Sequence, residues 1–313
     1  MKLVHLAAAA AATVLLSQAA MAQSDSDSPS GEVGSDRTTV EWTPDMMRSA
    51  AQVEKPMVDP DKVRSAAQDR AEIPIPPGMS EPSLTVEMPK EQDRASGDVN
   101  SMPLVFAGKL FFQKGNGKNY VCSAQFISKR VLLTAAHCVR DDENGDFYRN
   151  IAFALQYDKG RYSKAYKSQC AATLNGWVQP GDEKWTYDFA MILVGEDSQN
   201  GWFGTAWGWQ QYNEATKIGY PGGILDGQVI QVDQGPIKVE NGIVELRHGN
   251  QADQGGSSGG AWIGDYSSQK GNYNHIISVE SFGYDGQPGV DYGPYFDGRL
   301  KILWDFVENG CKK

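Results

Sequence analysis

Residues 131–138 read Val-Leu-Leu-Thr-Ala-Ala-His-Cys, an apolar run of strand length that ends on small residues and a histidine. Short runs rich in aromatic and β-branched residues recur from about residue 99 onward, with Gly and Asn between them. Such runs between turn residues are typical of an all-β sandwich or barrel. Residues 298–310 differ, because their apolar side chains recur at helical spacing and a glycine follows. We therefore expect an all-β unit that ends in one α-helix.

A candidate acid lies downstream of this histidine. Asp188 directly precedes an apolar run at residues 189–194, 51 positions after His137. An aspartate before an apolar strand is common, so this pattern alone is weak evidence. Asp182 competes with it, but no apolar strand follows Asp182 directly.

A third segment, residues 255–262, reads Gly-Gly-Ser-Ser-Gly-Gly-Ala-Trp. A flexible Gly/Ser linker is one interpretation, and the strand-like run that resumes at Ala261 disfavours it. A phosphate-binding loop is another, and it is disfavoured because no Gly-Lys-Ser/Thr follows. A nucleophilic serine is the third interpretation and the one we favour.

Together the three segments resemble the histidine, aspartate and serine segments of chymotrypsin-like serine peptidases, in that chain order. The resemblance implies that His137 is the general base, that Asp188 orients it, and that Ser258 is the nucleophile. Ser258 is preferred to Ser257 because it directly precedes the two glycines of the family pattern Gly-Asp-Ser-Gly-Gly-Pro. The backbone amides of Gly256 and Ser258 would form the oxyanion hole.

The same resemblance implies two antiparallel six-stranded β-barrels with a C-terminal α-helix. His137 and Asp188 would belong to the first barrel, residues 99–200, and Ser258 to the second, residues 201–313. In this family the terminal helix crosses back onto the first barrel. The resemblance therefore implies two disulfides, Cys122–Cys138 and Cys170–Cys311.

Within the superfamily the chain looks most similar to bacterial glutamyl endopeptidases. Three segments carry this likeness: Cys122-Ser123-Ala124, the segment around Phe153, and Gly219-Tyr220-Pro221. Glutamate-specific members have a histidine where Glu280 stands, and a glutamate there would repel an acidic substrate. Ser281 would match the family serine that supports the catalytic aspartate.

Glu280, Ser281 and Asp253 are the expected substrate-binding residues. The carboxylates of Asp253 and Glu280 lead us to expect a preference for Lys or Arg before the scissile bond. Two alternatives remain open: a preference for small apolar residues, and a Glu280 side chain that points outward. Asp253 is also one position away from the place where trypsin carries its pocket aspartate.

The first 98 residues differ in composition from the rest. Residues 1–22 are typical of a cleaved secretory signal, with a retained membrane anchor as the alternative. Residues 23–98 hold nine of the 15 prolines, and 16 acidic residues against eight basic ones. Too little apolar area is present for this segment to fold alone, so we expect a disordered pro-segment or linker. It contains a repeat with a period of 16 residues, whose matching copies lie at 44–52 and 60–68. Each copy is predicted to form a short helix that starts with an N-cap residue and a proline.

Composition excludes some functions. The formal charge of −10 argues against a nucleic-acid binder. No spacing typical of a metal site occurs, and no cofactor is expected. No membrane span is expected after signal cleavage. We expect a secreted or periplasmic serine endopeptidase acting on proteins or peptides. The alternative is an inactive binding protein on the same scaffold that recruits a partner through its 44–52 and 60–68 repeats.

Overall fold

The computed structural model describes residues 25–33, 41–85, 97–250, 255–269 and 273–312. The expected signal at 1–22 lies outside these ranges. Before residue 99 the chain forms short elements: β1 (Pro29–Val33), α1 (Pro44–Ser49), β2 (Ala51–Gln52), α2 (Pro60–Ala66), β3 (Gly78–Ser80) and β4 (Ser83–Leu84). Both repeat copies begin as predicted, since Thr43 accepts a hydrogen bond from Met46 N and Asp59 accepts one from Asp61 N.

Six strands close into a barrel. Apolar side chains from all six fill the interior, where the aromatic rings of Phe126, Phe153 and Tyr166 pack edge to face or tilted. The hydrogen-bonded order is β8-β9-β10-β7-β6-β5, and β5 pairs with β8 to close the ring. The strands are β5 (Ala107–Gln113), β6 (Asn119–Phe126), β7 (Val131–Thr134), β8 (Arg149–Leu155), β9 (Lys164–Leu174) and β10 (Ala190–Val194).

In the described part of the chain β1 pairs with β9 and β2 with β6, and a second sheet has nine strands. Its order is β18-β19-β15-β14-β13-β16-β17-β12-β3, which is consistent with a second barrel. Two-residue β11 pairs with β4 instead. The strands are β11 (Gly201–Trp202), β12 (Gly204–Trp207), β13 (Glu214–Gly219), β14 (Gln231–Glu240), β15 (Ile243–Arg247), β16 (Ala261–Ile263), β17 (His275–Val279), β18 (Phe282–Gly283) and β19 (Val290–Pro294).

The chain ends in α3 (Gly298–Glu308), which is capped by the Asp297 side chain. Its apolar face packs on β9 and β10 of the closed barrel, and the Cys170–Cys311 disulfide fixes it there. The expected fold is thus confirmed: a mostly β chain with a closed six-stranded barrel and one C-terminal helix. None of the helices in the described ranges has the length and apolar composition that crossing a membrane requires.

Residues 41–85 form defined elements, whereas their composition suggested a disordered segment. Met47 and Val63, one from each repeat copy, are buried, and Val63 packs with Phe282 and Tyr292 of the second sheet. Trp42 packs on Phe111 of the closed barrel. The segment has too few apolar side chains to build its own core, but it buries them against cores that the barrels already provide.

Candidate active site

The histidine segment is held by the covalent and hydrogen-bonded frame of the closed barrel. His137 lies in a single 3-10 turn, Ala136–Cys138, that follows β7. The Cys122–Cys138 disulfide ties this turn to β6. The imidazole is buried, with 8% of its side chain exposed.

Asp188 holds this histidine at two points. It follows the 3-10 helix Asp182–Tyr187 and directly precedes the run that enters β10. One carboxylate oxygen accepts the main-chain N–H of His137 at 2.9 Å, and the other lies 2.7 Å from His137 Nδ1. The competing Asp182 begins the 3-10 helix, whereas Asp188 is the aspartate that meets the histidine.

Ser281 supports the same carboxylate. It lies between β17 and β18, and its hydroxyl donates to Asp188 Oδ2 at 2.5 Å. Ser281 and Asp188 are both fully buried. With His137 N and Nδ1, the hydroxyl gives the Asp188 carboxylate three hydrogen-bonding partners in an enclosed space, which fixes its position.

The serine segment is buried and directly enters β16, so it is not a flexible linker. Main-chain bonds fix the loop on both sides: Ser258 O accepts from Ser123 N at 2.8 Å, and Gly259 N donates to Glu280 O at 2.8 Å. Gly259 has a positive φ of 78°, and a Cβ there would lie 2.1 Å from Thr134 Oγ1. Only glycine therefore fits where the serine loop meets the histidine segment.

Two polar atoms at this junction lack a hydrogen-bond partner among the described residues. They are Ser258 Oγ and His137 Nε2, and both are buried. Buried polar atoms are nearly always paired, so each such exception calls for a functional explanation.

Gly256 has a backbone that favours glycine, with φ of 98°. The carbonyl of the preceding residue, Gly255, accepts from Gly222 N at 2.7 Å. In a trans peptide the N–H points away from the carbonyl of the same unit, so the Gly256 N–H is turned away from Gly222. Ser123 Oγ donates to Gly256 O at 3.0 Å and accepts from Tyr220 N at 3.0 Å. This anchoring role of Ser123 was missed at the sequence level, where the residue only contributed to the family likeness.

Glu280 does not point outward; that alternative was wrong. Glu280 is only 1% exposed, and its carboxylate lies 2.7 Å from Lys55 Nζ and 3.4 Å from Lys217 Nζ. It also accepts from Trp262 Nε1 at 3.1 Å. Asp253, the other expected pocket carboxylate, lies outside the described residues.

Asp291 on β19 is a second buried carboxylate beside Glu280. It forms ion pairs with both Lys55 and Lys217, and His248 Nε2 lies 2.8 Å away. Burial raises its pKa, but the charges of Lys217 and Lys55 outweigh burial and hold the pKa well below its ordinary value. A polar residue inside the otherwise apolar β19 was the sequence signal that could have identified Asp291.

One cluster of potential metal ligands occurs within the described ranges: Cys122, His137 and Cys138. The two sulfurs are joined in a disulfide, so neither is available as the thiolate that a metal would bind.

The chain resembles several solved structures in fold. A thermostable serine protease, AL20, from an extremophilic microorganism shares 22% identity, with a TM-score of 0.54, over 66% of this chain and 97% of that one. Protease Anisep from Arthrobacter nicotinovorans shares 21% identity, with a TM-score of 0.55, over 65% and 95%. A Glu endopeptidase shares 15%, with a TM-score of 0.53, over 74% and 96%.

No curated protein matches the chain by sequence. A family model, Trypsin, matches residues 100–287, which is more than half of the 313 residues. This match agrees with the closed barrel, the C-terminal helix and the solved structures above. The chain therefore belongs to the trypsin family of serine peptidases.

Proposed function

We propose that the protein is a serine endopeptidase that hydrolyses peptide bonds through an acyl-enzyme. The observation that carries this proposal is the state of His137. Asp188 fixes one side of its ring, while Nε2 on the other side is buried without a partner among the described residues, as is Ser258 Oγ. A serine hydroxyl is a poor nucleophile and needs a base. The orientation of the His137 ring by Asp188 supports that role, and Nε2 and Ser258 Oγ are not hydrogen-bonded to each other in this structure.

The chemistry follows from these three residues. Ser258 Oγ attacks the carbonyl carbon of the substrate while His137 Nε2 takes the hydroxyl proton. The imidazolium then gives that proton to the leaving amine as the C–N bond breaks, which leaves an ester on Ser258. Water attacks the ester with His137 again as the base, and the acid product leaves as the proton returns to Ser258 Oγ. Asp188 stabilises the imidazolium in each half of the cycle.

The negative charge on the reacting carbonyl oxygen needs hydrogen-bond donors. We assign this role to the main-chain N–H groups of Gly256 and Ser258. The bonds to the Gly255 carbonyl and from Ser123 anchor this loop at two neighbouring residues. The chain has Ser257 where trypsin-type zymogens carry the aspartate that a new N-terminus pairs with, so this loop is held by main-chain contacts instead.

The substrate is a protein or peptide, and the site of action is the periplasm or the medium. The secretory signal expected at 1–22 and two disulfides support an oxidising compartment. In this account residues 23–98 are a pro-segment. Lys or Arg is the preferred residue before the scissile bond, because the Glu280 carboxylate is buried beside the serine loop.

The alternative, an inactive binding protein that acts through its repeats, is less well supported. Such a partner would need the apolar side of each repeat. Met47 and Val63 supply that side, and both are already buried against the protein's own barrels.

Incubation with an unfolded protein substrate, followed by detection of new amino termini, tests the proposal. We expect cleavage by the wild type and none by Ser258→Ala under the same conditions. Equal cleavage by the two proteins would contradict it. The thermal unfolding temperature of the variant serves as the control for folding.

A further inference from the structure

Residues 51–58, which we call the strap, cross the site between the two sheets. At its start β2 pairs in parallel with Tyr120–Val121 of β6, and Val53 N donates to Val121 O at 3.2 Å. At its end Gly283 N donates to Pro56 O and Val58 N donates to Gly283 O, both at 2.9 Å. The strap is thus bonded to the main chain on both sides of the site.

Between these ends the strap lies directly on the serine loop. A Cβ on Gly256 would be 1.8 Å from Gln52 Oε1, and one on Gly255 would be 2.0 Å from Val53 O. The two glycines therefore let the strap approach as closely as backbone allows. The group that lies against Gly256 is the side-chain amide of Gln52 rather than a peptide carbonyl, so the strap presents no peptide bond at that point of the serine loop.

Lys55 enters the space behind this loop. Its side chain is 10% exposed and pairs with both Glu280 and Asp291. The main chain of Pro56 and Val58, which follow it, is hydrogen-bonded to Gly283, so the lysine is held close to its main chain and at its tip. A long cationic side chain thus reaches two buried carboxylates from a segment that crosses the cleft.

Lys55 is one of the cations that face the buried carboxylates of this pocket. Among the residues that the structure describes there, Glu280 and Asp291 are acidic, Lys217 and Lys55 are basic, and His248 Nε2 lies 2.8 Å from Asp291. Removal of Lys55 takes away one of the two lysines that pair with these buried carboxylates, and loss of one partner of a buried ion pair is strongly unfavourable. A vacated pocket would therefore recruit a cation and reject an acidic side chain.

We propose that the strap is an intramolecular inhibitor of the cleft, and that Lys55 occupies the pocket in which Glu280 and Asp291 bind the lysine or arginine side chain of a substrate. This proposal rests on the proposed peptidase function, because it takes the cleft as the place where a peptide substrate binds. It adds Asp291 as a specificity residue and gives residues 51–58 a defined task.

Benzamidine, a small planar cation, is the probe for the pocket, and its binding by the full chain is measured by calorimetry. We compare the wild type with Lys55→Ala, which vacates the pocket. The control is Lys62→Ala, which removes an exposed lysine of α2, just after the strap. We expect Lys55→Ala to bind benzamidine about tenfold more tightly or better, because the probe supplies the missing charge. Lys62→Ala should match the wild type. Equal binding by Lys55→Ala and the wild type, or an equal gain in Lys62→Ala, would overturn the proposal.

A second variant, Lys55→Ala/Asp291→Asn, removes one basic and one acidic side chain of the pocket together. It keeps the proposal testable if Lys55→Ala alone does not fold. That double variant should bind benzamidine no better than the wild type, and an added unrelated protease should cut its strap about tenfold faster. A strap as resistant as that of the wild type would count against the assignment. Labelling of Ser258 by a fluorophosphonate is followed separately in the same proteins. If Lys55→Ala gains benzamidine binding but Ser258 is not labelled, the peptidase function is refuted, whereas the proposal that Lys55 fills a cation-binding pocket still holds.

Discussion

Asp188 contacts His137 twice, through the main-chain N–H at 2.9 Å and through Nδ1 at 2.7 Å. The two contacts have different consequences. The bond to the main chain fixes where the histidine turn sits, whereas the contact with the ring selects which nitrogen carries the proton. In the proposed mechanism the carboxylate accepts from Nδ1, which leaves Nε2 as the acceptor nitrogen of the ring.

Asp188→Asn separates these two effects. The amide oxygen can still accept the main-chain N–H, while the amide NH₂ faces Nδ1 and forces the proton onto Nε2. We expect kcat to fall by about 10⁴, with little change in the thermal unfolding temperature. Steady-state kinetics and thermal unfolding of the pure variant check this. A loss of less than tenfold in a folded variant would show that Asp188 does not set the tautomer.

In the proposed mechanism Ser281 is a positioning residue that acts through Asp188. Ser281→Ala removes one donor to a buried carboxylate, a bond worth about 1.5–3 kcal/mol, so kcat should fall about 10- to 100-fold with KM little changed. Ser278→Ala is the matched control, because Ser278 is equally buried and donates to Pro294 O at 2.9 Å instead. The control should lose stability and keep kcat. Similar kcat values for the two variants would argue against a role for Ser281 beyond packing.

The two disulfides should differ in their contribution to stability. Cys170–Cys311 joins residues 141 positions apart, and Cys122–Cys138 joins residues 16 apart. If constraint of the unfolded chain dominates, removing the bridges by paired Cys→Ala substitutions should cost about 5 and about 3 kcal/mol, respectively. Denaturant unfolding monitored by tryptophan fluorescence gives both values. The reverse order would mean that native contacts, not chain entropy, decide their effect.

Lys109 predicts a pH dependence of stability. It is fully buried, its Nζ donates to Gly227 O at 2.7 Å, and burial lowers its pKa from 10.5 to about 7. Between these values the unfolded chain keeps a proton that the folded protein releases. This group therefore makes stability rise with pH above about 7, by at most about 1.4 kcal/mol per pH unit, and the penalty is fully present below that.

Thermal unfolding at pH 7, 8 and 9 tests this for the wild type, Lys109→Met and Lys118→Met. Lys118 is exposed and serves as the control. The unfolding temperature of the wild type should rise with pH relative to that of Lys109→Met, and it should run parallel to that of Lys118→Met. Parallel curves for the wild type and Lys109→Met would show that Lys109 stays protonated in the folded protein.

The sequence was most informative where chemistry demands a residue type at a fixed place. The segments of His137, Asp188 and Ser258 could be identified because each couples a polar residue to a neighbouring strand or glycine turn. The N-caps Thr43 and Asp59 were equally accessible, because a cap bonds only two or three residues away.

Contacts that depend on long-range folding could not be found in this way. Lys55 and Asp291 are 236 positions apart, and the sequence around either residue gives no indication that the two form an ion pair. The order in residues 41–85 was missed for a similar reason. Composition measures whether a segment can bury its own apolar surface, not whether another part of the chain will cover it.

The central claim is that Ser258 is the nucleophile that His137 activates. The most direct measurement treats the folded full chain and its Lys55→Ala variant with a fluorophosphonate and maps the adduct by mass spectrometry. We expect one adduct, on Ser258, that forms faster in Lys55→Ala and is lost in His137→Ala. An adduct on Ser257, or none on the folded Lys55→Ala protein, would contradict it.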